Sequence, residues 1–350
     1  MTNSIPTHMT GVQLIAHGGD DCLQVRSDIP VPTMGSHDVL IKVSAAGVNN
    51  TDINTRIGWY AQDPDDSSTS SWSGESLMFP RIQGADVCGK IVAVGSAVNA
   101  TRIGERVIVE PCLQFANGKT LSSPWYFGSE CDGGFAEYTV VDSRHAFTIN
   151  SKMSDTELAS FPCSYSTAEN MLTRANVVAQ DKVLISGASG GVGSATIQLA
   201  KARGAYVIAI AGANKLDAIL ALGADKVIER SSDLVAEIGE NSVDVVIDLV
   251  AGKQWPQFLK VLKPHSRYAV AGAIGGAFVE LDLRTLYLKD LSFFGCTIIS
   301  SEVFPNLVKL IEAQRIKPLV AATFALDEIA IAQAEFQKKA HIGKIVLTVT

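Results

Sequence analysis

A glycine-rich turn between an apolar strand and a helical segment constrains the fold of this chain more than any other feature. The predicted strand covers residues 183–186, the turn residues 187–193 and the helical segment residues 194–203. The alternation continues, with strands predicted at 206–210, 226–228, 243–249 and 268–271 and helices at 215–222 and 234–238. Near-continuous apolar strands separated by helices are typical of βαβ units, so we expect a doubly wound parallel sheet.

The composition of the turn indicates what it binds. It consists of Gly187, Ala188, Ser189, Gly190, Gly191, Val192 and Gly193. Gly190 and Gly193 have the spacing of a dinucleotide-binding fingerprint, with Ala188 in place of its first glycine. Such a turn lets the backbone approach a pyrophosphate, whose negative charge the helix N-terminus favours. A turn that merely allows close helix packing is the alternative, but the preceding strand and the following helix favour dinucleotide binding.

The end of the second strand predicts which dinucleotide is bound. A site for NAD usually has an Asp or Glu there, which binds the ribose 2′-hydroxyl. Here the strand is followed by Gly212 and Lys215 with no carboxylate between them, and Arg230 follows the third strand. Cations favour the 2′-phosphate of NADP, which a carboxylate would repel. We therefore expect NADPH, although both cations also fit ordinary surface residues at the ends of elements.

Composition excludes several classes of protein. The net charge is −7, so the chain lacks the basic excess of a nucleic-acid-binding protein. The first 19 residues contain no basic region followed by an apolar run, and glycine and serine interrupt residues 183–200 too often for a membrane span. The six cysteines form no C-x-x-C pair. We therefore expect a protein of the reducing cytoplasm, without a signal peptide.

The chain before residue 150 has the pattern of strands and turns. Strands are predicted at 39–48, 90–94 and 106–109, and one more at 344–349 near the other end of the chain. Residues 61–76 are rich in Asp, Ser and Pro, so they are expected to form a surface loop. Trp72 in this loop leaves two interpretations open: a loop that folds over a ligand, and a solvated insertion whose tryptophan packs locally.

Short motifs recur in a recognisable order along nearly the whole chain. They are AGVNNTD at 46–52, GADVCG at 84–89 followed by Val94-Gly95, GERV at 104–107, GGFAEY at 133–138, the glycine turn, and GKIVL at 343–347. In order and spacing these motifs resemble the medium-chain dehydrogenase/reductase superfamily, specifically its zinc-free quinone oxidoreductase branch.

The resemblance implies an α/β plus β architecture. A GroES-like, mostly β catalytic domain would consist of residues 1–152 and 303–350, and a Rossmann domain of residues 153–302 would be inserted between them. The active site would lie in the cleft between the two domains. The resemblance also implies a homodimer through the edge of the Rossmann sheet, around residues 292–299.

The zinc-dependent branch of the superfamily differs from this chain at its metal ligands. That branch has a cysteine at the position of Asn49 and a His-Glu pair at Ala85-Asp86, and Cys163 lies roughly where its third ligand falls. A catalytic zinc needs three protein ligands, of which two are missing here. The structural zinc needs four closely spaced cysteines, but the region has only Cys112 and Cys131. No metal is therefore expected.

The resemblance also implies the roles of individual residues. Asn49 and Tyr60 match a pair that lines the substrate and nicotinamide pocket, where Asn49 would bind a substrate carbonyl and Tyr60 would donate to a developing oxyanion. A turn-capping asparagine and a half-buried tyrosine are the alternatives. Thr167 and Gly272 match positions near the nicotinamide. Lys344 would approach the cofactor, unless it is an exposed lysine at the end of a strand.

These inferences predict a class of reaction. Without a metal to polarise an alcohol, hydride transfer from NADPH to a quinone or an α,β-unsaturated carbonyl compound fits best. A zinc-free alcohol dehydrogenase-like enzyme and a non-catalytic NADPH-binding sensor are the alternatives. The sequence specifies neither the physiological substrate nor whether a side chain or water donates the proton.

Overall fold

A computed structural model describes residues 5–61 and 70–350. The chain forms two compact units. The first unit contains the residues up to 163 together with 318–340 and 344–350, and the second contains residues 164–317 and 341–343. Half of the predicted loop 61–76, residues 62–69, therefore lies outside the described residues. None of the described helices is both long and apolar enough to cross a membrane.

The described elements are numbered in chain order. The strands are β1 (His8–Leu14), β2 (Leu23–Pro30), β3 (Asp38–Val48), β4 (Arg81–Ile82), β5 (Asp86–Val94), β6 (Arg106–Val109), β7 (Cys112–Ala116), β8 (Lys119–Tyr126), β9 (Tyr138–Asp142), β10 (Ala146–Thr148), β11 (Lys182–Ile185), β12 (Tyr206–Ala211), β13 (Lys226–Glu229), β14 (Val243–Asp248), β15 (Leu262–Val270), β16 (Ser292–Gly295), β17 (Val320–Ala325) and β18 (Lys344–Thr348). The helices are α1 (Asn50–Arg56), α2 (Asp155–Leu158), α3 (Pro162–Arg174), α4 (Gly191–Ala202), α5 (Leu216–Ala221), α6 (Leu234–Ile238), α7 (Trp255–Val261), α8 (Leu283–Leu288), α9 (Val303–Glu312) and α10 (Ile329–Gln337).

A seven-stranded sheet organises the first unit. Its strand order is β10-β6-β5-β3-β18-β17, and β9 pairs with β3 outside this path. Strand β18 pairs antiparallel with β3, Ile345 opposite Val48, and parallel with β17. Apolar side chains of both segments, among them Ile41, Val87 and Leu347, pack into one core. The mostly β architecture predicted for the first unit is therefore confirmed.

A six-stranded, all-parallel sheet forms the second unit. Its strand order is β13-β12-β11-β14-β15-β16. The order reverses between β11 and β14, and ligands of such sheets bind at this kind of reversal, beyond the carboxyl ends of the strands. The prediction of a doubly wound parallel sheet is confirmed. Its buried core includes Leu184, Val246, Phe258 and Leu262.

The boundaries between the units lie at 163/164 and 317/318, whereas the sequence predicted 152/153 and 302/303. Helix α2 packs against β3 and β5 of the first unit, and Asp155 pairs with Arg106 at 2.5 Å. Helix α9 belongs to the second unit, where Nδ2 of Asn306 donates to Oε1 of Glu169 at 2.7 Å. Both attachments depend on side chains distant in sequence, which local patterns do not reveal.

Glu169, which accepts a hydrogen bond from Asn306 of α9, also forms an ion pair with Arg203. The Glu169 carboxylate is buried and lies 2.7 Å from Nη2 of Arg203, which is itself mostly buried. Glu169→Ala leaves the arginine charge without this partner, and we expect it to lower the free energy of unfolding by about 2 kcal/mol in urea titrations. The double variant Glu169→Leu/Arg203→Met removes both charges and is expected to recover most of the loss. A double variant less stable than the single one would contradict this account.

Candidate active site

Two of the four glycines in the turn of the second unit, Gly190 and Gly193, serve different physical purposes. A Cβ on Gly193 would lie 2.3 Å from the carbonyl oxygen of Gly187, so only glycine allows α4 to approach the turn this closely. A Cβ on Gly190 would meet only that same oxygen, at 3.6 Å, an ordinary contact. Gly190 precedes the first residue of α4 and has extended backbone angles. The surface above Gly190 is therefore open to a ligand at the positive end of a 12-residue helix.

Two cations lie together at the end of β12. A Cβ on Gly212 would lie 3.1 Å from Nη2 of Arg230, which places the guanidinium beside this glycine. Nζ of Lys215 donates to Oγ of Ser189 in the glycine turn at 3.3 Å. Burial, and after it the charge of Arg230, lower the pKa of the Lys215 ammonium. In the described part of the chain Arg230 forms no ion pair with a carboxylate, so an anion bound here would relieve the repulsion between the two cations.

Residues 341–343 belong to this second unit and lie against the same site. Nζ of Lys215 donates to the carbonyl oxygen of His341 at 2.9 Å, and the Gly343 amide donates to the Ser189 carbonyl oxygen at 3.3 Å. The glycine turn, the end of β12 and this short segment are thus joined by hydrogen bonds. The sequence analysis singled out Ser189 and Lys215 but missed their link to His341, which no local spacing reveals.

Two further predicted cofactor residues also lie in the second unit. Thr167 is half-buried on α3, between the buried Ser166 and Ala168. A Cβ on Gly272 would lie 2.6 Å from the carbonyl oxygen of Leu249, so the chain after β15 runs close to the chain after β14. Contacts of Thr167 and Gly272 with a cofactor stay a prediction.

A buried polar network in the first unit surrounds Asn49, the residue before α1. The Asn49 backbone amide donates to Oδ2 of Asp52 at 2.7 Å, the reciprocal half of a helix capping arrangement. The side-chain amide of Asn49 donates to Oδ2 of Asp86 at 2.9 Å, and its Oδ1 accepts from the ammonium of Lys344. Asn49 therefore bridges a buried anion and a buried cation.

Lys344 and Asp86 form the charged centre of this network. Their Nζ and Oδ2 atoms are 2.7 Å apart, and 3% of the lysine side chain and none of the aspartate side chain is exposed. The other carboxylate oxygen of Asp86 accepts from the backbone amide of Cys163 at 2.5 Å. An exposed lysine at the end of a strand, one alternative from the sequence, is therefore wrong. The cause is the register of β18 on β3, which puts the residue before Ile345 beside the residue after Val48.

Tyr60 lies in the turn that follows α1, close to the same network. Burial raises the pKa of its phenol to about 12, against the opposing effect of hydrogen bonds with Asn54 and Thr51. The whole residue is half-buried, so part of it remains exposed. The phenol is therefore protonated at neutral pH, as a hydrogen-bond donor must be.

Aromatic side chains and a thiol lie beside the polar network. The Tyr126 hydroxyl and the Cys163 sulfur are hydrogen-bonded at 2.8 Å, and burial raises the pKa of the Cys163 thiol to about 12. Trp72 stacks on Tyr126 with ring centroids 5.0 Å apart, and its backbone amide donates to Oγ of Ser129 at 3.0 Å. Trp72 therefore packs inside the first unit, which agrees with the interpretation of a tryptophan that packs locally. The sequence analysis missed Tyr126, because nothing near the end of β8 marks it.

The three positions that would hold a catalytic zinc do not fit the metal. The Asn49 amide is bound to charged neighbours, Ala85 has no donor atom, and the Cys163 sulfur is a thiol bonded to a phenol. A zinc site needs three ligands such as thiolate, imidazole or carboxylate. Among residues 5–61 and 70–350, no group of three or more His, Cys, Asp or Glu is placed to hold a metal.

Comparison with known proteins gives the class of protein. Residues 35–151 match the alcohol dehydrogenase GroES-like domain, and residues 191–313 match the family described as zinc-binding dehydrogenase. The human quinone oxidoreductase is 30% identical over 353 residues, covering 97% of both chains. The chain therefore belongs to the medium-chain dehydrogenase/reductase superfamily, and within it to the quinone oxidoreductase family. Its class is that of the oxidoreductases, and the family implies a nicotinamide cofactor.

Similar solved structures share the fold, but some are named as alcohol dehydrogenases and others as quinone oxidoreductases. A putative alcohol dehydrogenase from Sinorhizobium meliloti is 44% identical, has a TM-score of 0.92, and covers 99% of this chain and 98% of its own. The quinone oxidoreductase from Coxiella burnetii is 27% identical with a TM-score of 0.77, covering 98% of this chain and all of its own. The fold and the family are thus shared between proteins named for different substrates.

The two glycines of the turn provide a matched pair of variants. Gly190→Ala adds a methyl group where the backbone has room, so we expect unchanged thermal stability but about tenfold weaker binding of a reduced nicotinamide dinucleotide. Gly193→Ala collides with backbone atoms and is expected to cost about 2 kcal/mol of stability. Thermal unfolding and fluorescence titration measure the two effects. Wild-type affinity in Gly190→Ala would show that no ligand approaches Gly190.

Proposed function

We propose that the protein is an NADPH-dependent reductase that transfers hydride, without zinc, to a quinone or an α,β-unsaturated carbonyl compound. The observation that carries this proposal is the buried network of Asn49, Asp86 and Lys344. Asn49 and Asp86 stand at positions where zinc-dependent relatives have metal ligands or their neighbours, and Lys344 binds both. A fixed ammonium and a neutral phenol suit the stabilisation of a developing oxyanion.

The choice of NADPH rests on the two cations at the end of β12. Lys215 and Arg230 lie near each other beside Gly212, where an NAD site would have a carboxylate. The 2′-phosphate of NADP carries the negative charge that would pair with these two cations. The glycine turn and the N-terminus of α4 would hold the pyrophosphate, and Thr167 and Gly272 would lie at the nicotinamide end.

The residues of the first unit would act on the substrate. The cofactor, when bound, supplies a hydride to an electron-poor carbon, and the substrate oxygen receives the displaced electron pair. Asn49 keeps one N–H on Asp86, but its contact with the Gly47 carbonyl oxygen is 3.4 Å long and therefore weak. That second N–H, which Gly47 engages only weakly, remains able to donate to a substrate carbonyl. The Tyr60 phenol then donates to the oxygen as charge develops on it.

A second candidate is a zinc-free enzyme that oxidises secondary alcohols. The similarity that favours it is the one to the putative alcohol dehydrogenase from Sinorhizobium meliloti, at 44% identity. In that reaction Tyr60 would accept a proton rather than donate one. The raised pKa of its phenol, about 12, disfavours the phenolate that would be needed at neutral pH.

The direct test is NADPH oxidation, followed by its absorbance, with a panel of quinones, enones and enoyl thioesters. NADH is tested in parallel, and each assay is repeated with a chelator and with added zinc. Turnover with NADPH that the chelator does not change is the expected result. If no acceptor of the panel is reduced although NADPH still binds, and if secondary alcohols reduce NADP, the second candidate would be favoured. NADPH binding without reduction of any acceptor and without oxidation of any alcohol would point to a non-catalytic sensor.

The cofactor preference can be tested on the two cations separately. Lys215→Ala and Arg230→Ala are each expected to raise KM for NADPH about tenfold, because a charge-assisted hydrogen bond contributes about 1.5–3 kcal/mol. KM for NADH should change little, since NADH lacks the 2′-phosphate. Lys260→Ala, an exposed lysine on α7, is the matched control. Equal losses with both dinucleotides would contradict the assignment of the phosphate site.

The pH dependence of turnover tests Tyr60. Since the pKa of the phenol is raised to about 12, the donor is present at neutral pH and is lost only as the pH rises through that value. We expect that ionisation of Tyr60 does not change kcat between about pH 7 and pH 10. We expect Tyr60→Phe to lower kcat about 100-fold. Tyr206→Phe, at an exposed position of β12, is the control. A wild-type decline below about pH 10 that Tyr60→Phe abolishes would contradict it.

We also propose a homodimer formed through β16, the edge of the second unit's sheet. Phe278 is 99% exposed, and further large apolar side chains are exposed in the neighbouring sequence: Ile274, Val279, Leu283, Tyr287, Leu288 and Ile298. Sedimentation is expected to give the mass of two chains, and Leu288→Asp to give one, whereas Ile331→Asp on α10 should not change the mass. A monomeric wild type would refute the dimer. None of the six cysteines, all of which the structure describes, is in a disulfide, which agrees with the proposed reducing cytoplasm.

A further inference from the structure

A role in cofactor binding does not explain the buried position of Lys344. Its side chain is 3% exposed, and its ammonium donates to Oδ1 of Asn49 and lies 2.7 Å from Oδ2 of Asp86. A lysine ammonium placed in a dry interior has a high desolvation cost, and a single salt bridge often fails to offset it. The position of this charge therefore needs a reason beyond stability.

The hydrogen bonds of the network fix the orientation of the Asn49 amide. Because an ammonium only donates, its contact with Asn49 assigns the amide oxygen to the lysine side and the NH₂ group to the Asp86 side. Without the ammonium, the amide would lose the partner that holds its oxygen, and Asp86 would become a buried, uncompensated anion. A carboxylate with no cation beside it would repel an oxyanion that forms near Asn49.

The ammonium also retains capacity for a third hydrogen bond. Lys344 has three N–H donors, and the described contacts with Asn49 and Asp86 use two of them. Its charge extends over the neighbourhood, since it opposes the rise in pKa that burial produces in Asp52, to about 7, and in the Cys163 thiol. The network thus contains one fixed positive charge among several acidic groups.

We propose that Lys344 is a positioning residue for the hydride-transfer step: its ammonium holds the Asn49 amide with an N–H toward the substrate carbonyl, and provides the fixed positive charge that the metal provides in zinc-dependent relatives. This inference rests on the proposed reductase function. It assigns Lys344 to the reduction itself and not to cofactor binding. During the reaction no bond to Lys344 forms or breaks; hydride passes to carbon, and the proton reaches the oxygen from Tyr60 or water.

The test compares three variants with the wild type, using whichever quinone or enone the wild type reduces with NADPH. Lys344→Met removes the charge, and Lys344→Met/Asp86→Asn removes the whole ion pair, so that no buried anion is left to destabilise the fold. Lys42→Met, an exposed lysine on β3 in the same sheet, is the control. For each protein we measure kcat, KM for the acceptor, the NADPH dissociation constant by fluorescence, and thermal unfolding.

The expected result is a loss of about 100-fold in kcat for Lys344→Met, with NADPH affinity within about twofold of the wild type. The double variant should regain thermal stability but not kcat, because it has no cation to orient Asn49. Recovery of both in the double variant would overturn the proposal and leave Lys344 as a purely structural counter-ion. A parallel loss of NADPH affinity in Lys344→Met would overturn it in favour of a cofactor contact. A wild type without reductase activity would refute the proposed function and this inference together.

Discussion

The antiparallel pairing of β18 with β3 is the interaction on which the first unit and its site depend. The paired strands come from distant parts of the chain, and Lys344 and Asn49 are 295 positions apart. The register places Ile345 opposite Val48, so the next residues along the ladder, Lys344 and Asn49, become neighbours. A slip of one residue would turn the apolar side chains of β18 out of the core and move the lysine away from Asp86. Core packing therefore also fixes the geometry of the charges.

The two units use charge in different ways. Arg230 is exposed at the end of β12 and Lys215 is buried beside it, so an anion from solution can reach the arginine, whose field salt screens. Asp86 and Lys344 are almost fully buried, where the low dielectric strengthens their interaction and water is excluded. The first arrangement suits recognition of a soluble dinucleotide. The second suits a fixed electrostatic environment for a reacting group, which needs no rearrangement as charge develops.

Local patterns predicted those parts of the fold that lie within short stretches of chain. The strand, turn and helix around Gly190 occupy about two dozen contiguous residues, so the spacing of glycines and apolar residues was sufficient to recognise them. The absence of a carboxylate before Lys215 is equally local. The burial of Lys344, the bond between Tyr126 and Cys163 and the attachment of α9 to Glu169 were not predictable in this way. Each depends on strand register or helix packing between segments that sequence spacing does not connect.

The division of the chain also has a consequence for the order in which its parts can fold during synthesis. The second unit is almost entirely one continuous segment, 164–317, and its six strands are complete once that segment has left the ribosome. The first unit emerges earlier, yet its sheet lacks an inner strand until residues 344–348 are made. Until then one side of β3 has unpaired backbone groups, the kind of edge that invites wrong pairing. The domain that begins first on the ribosome is therefore the one that finishes last.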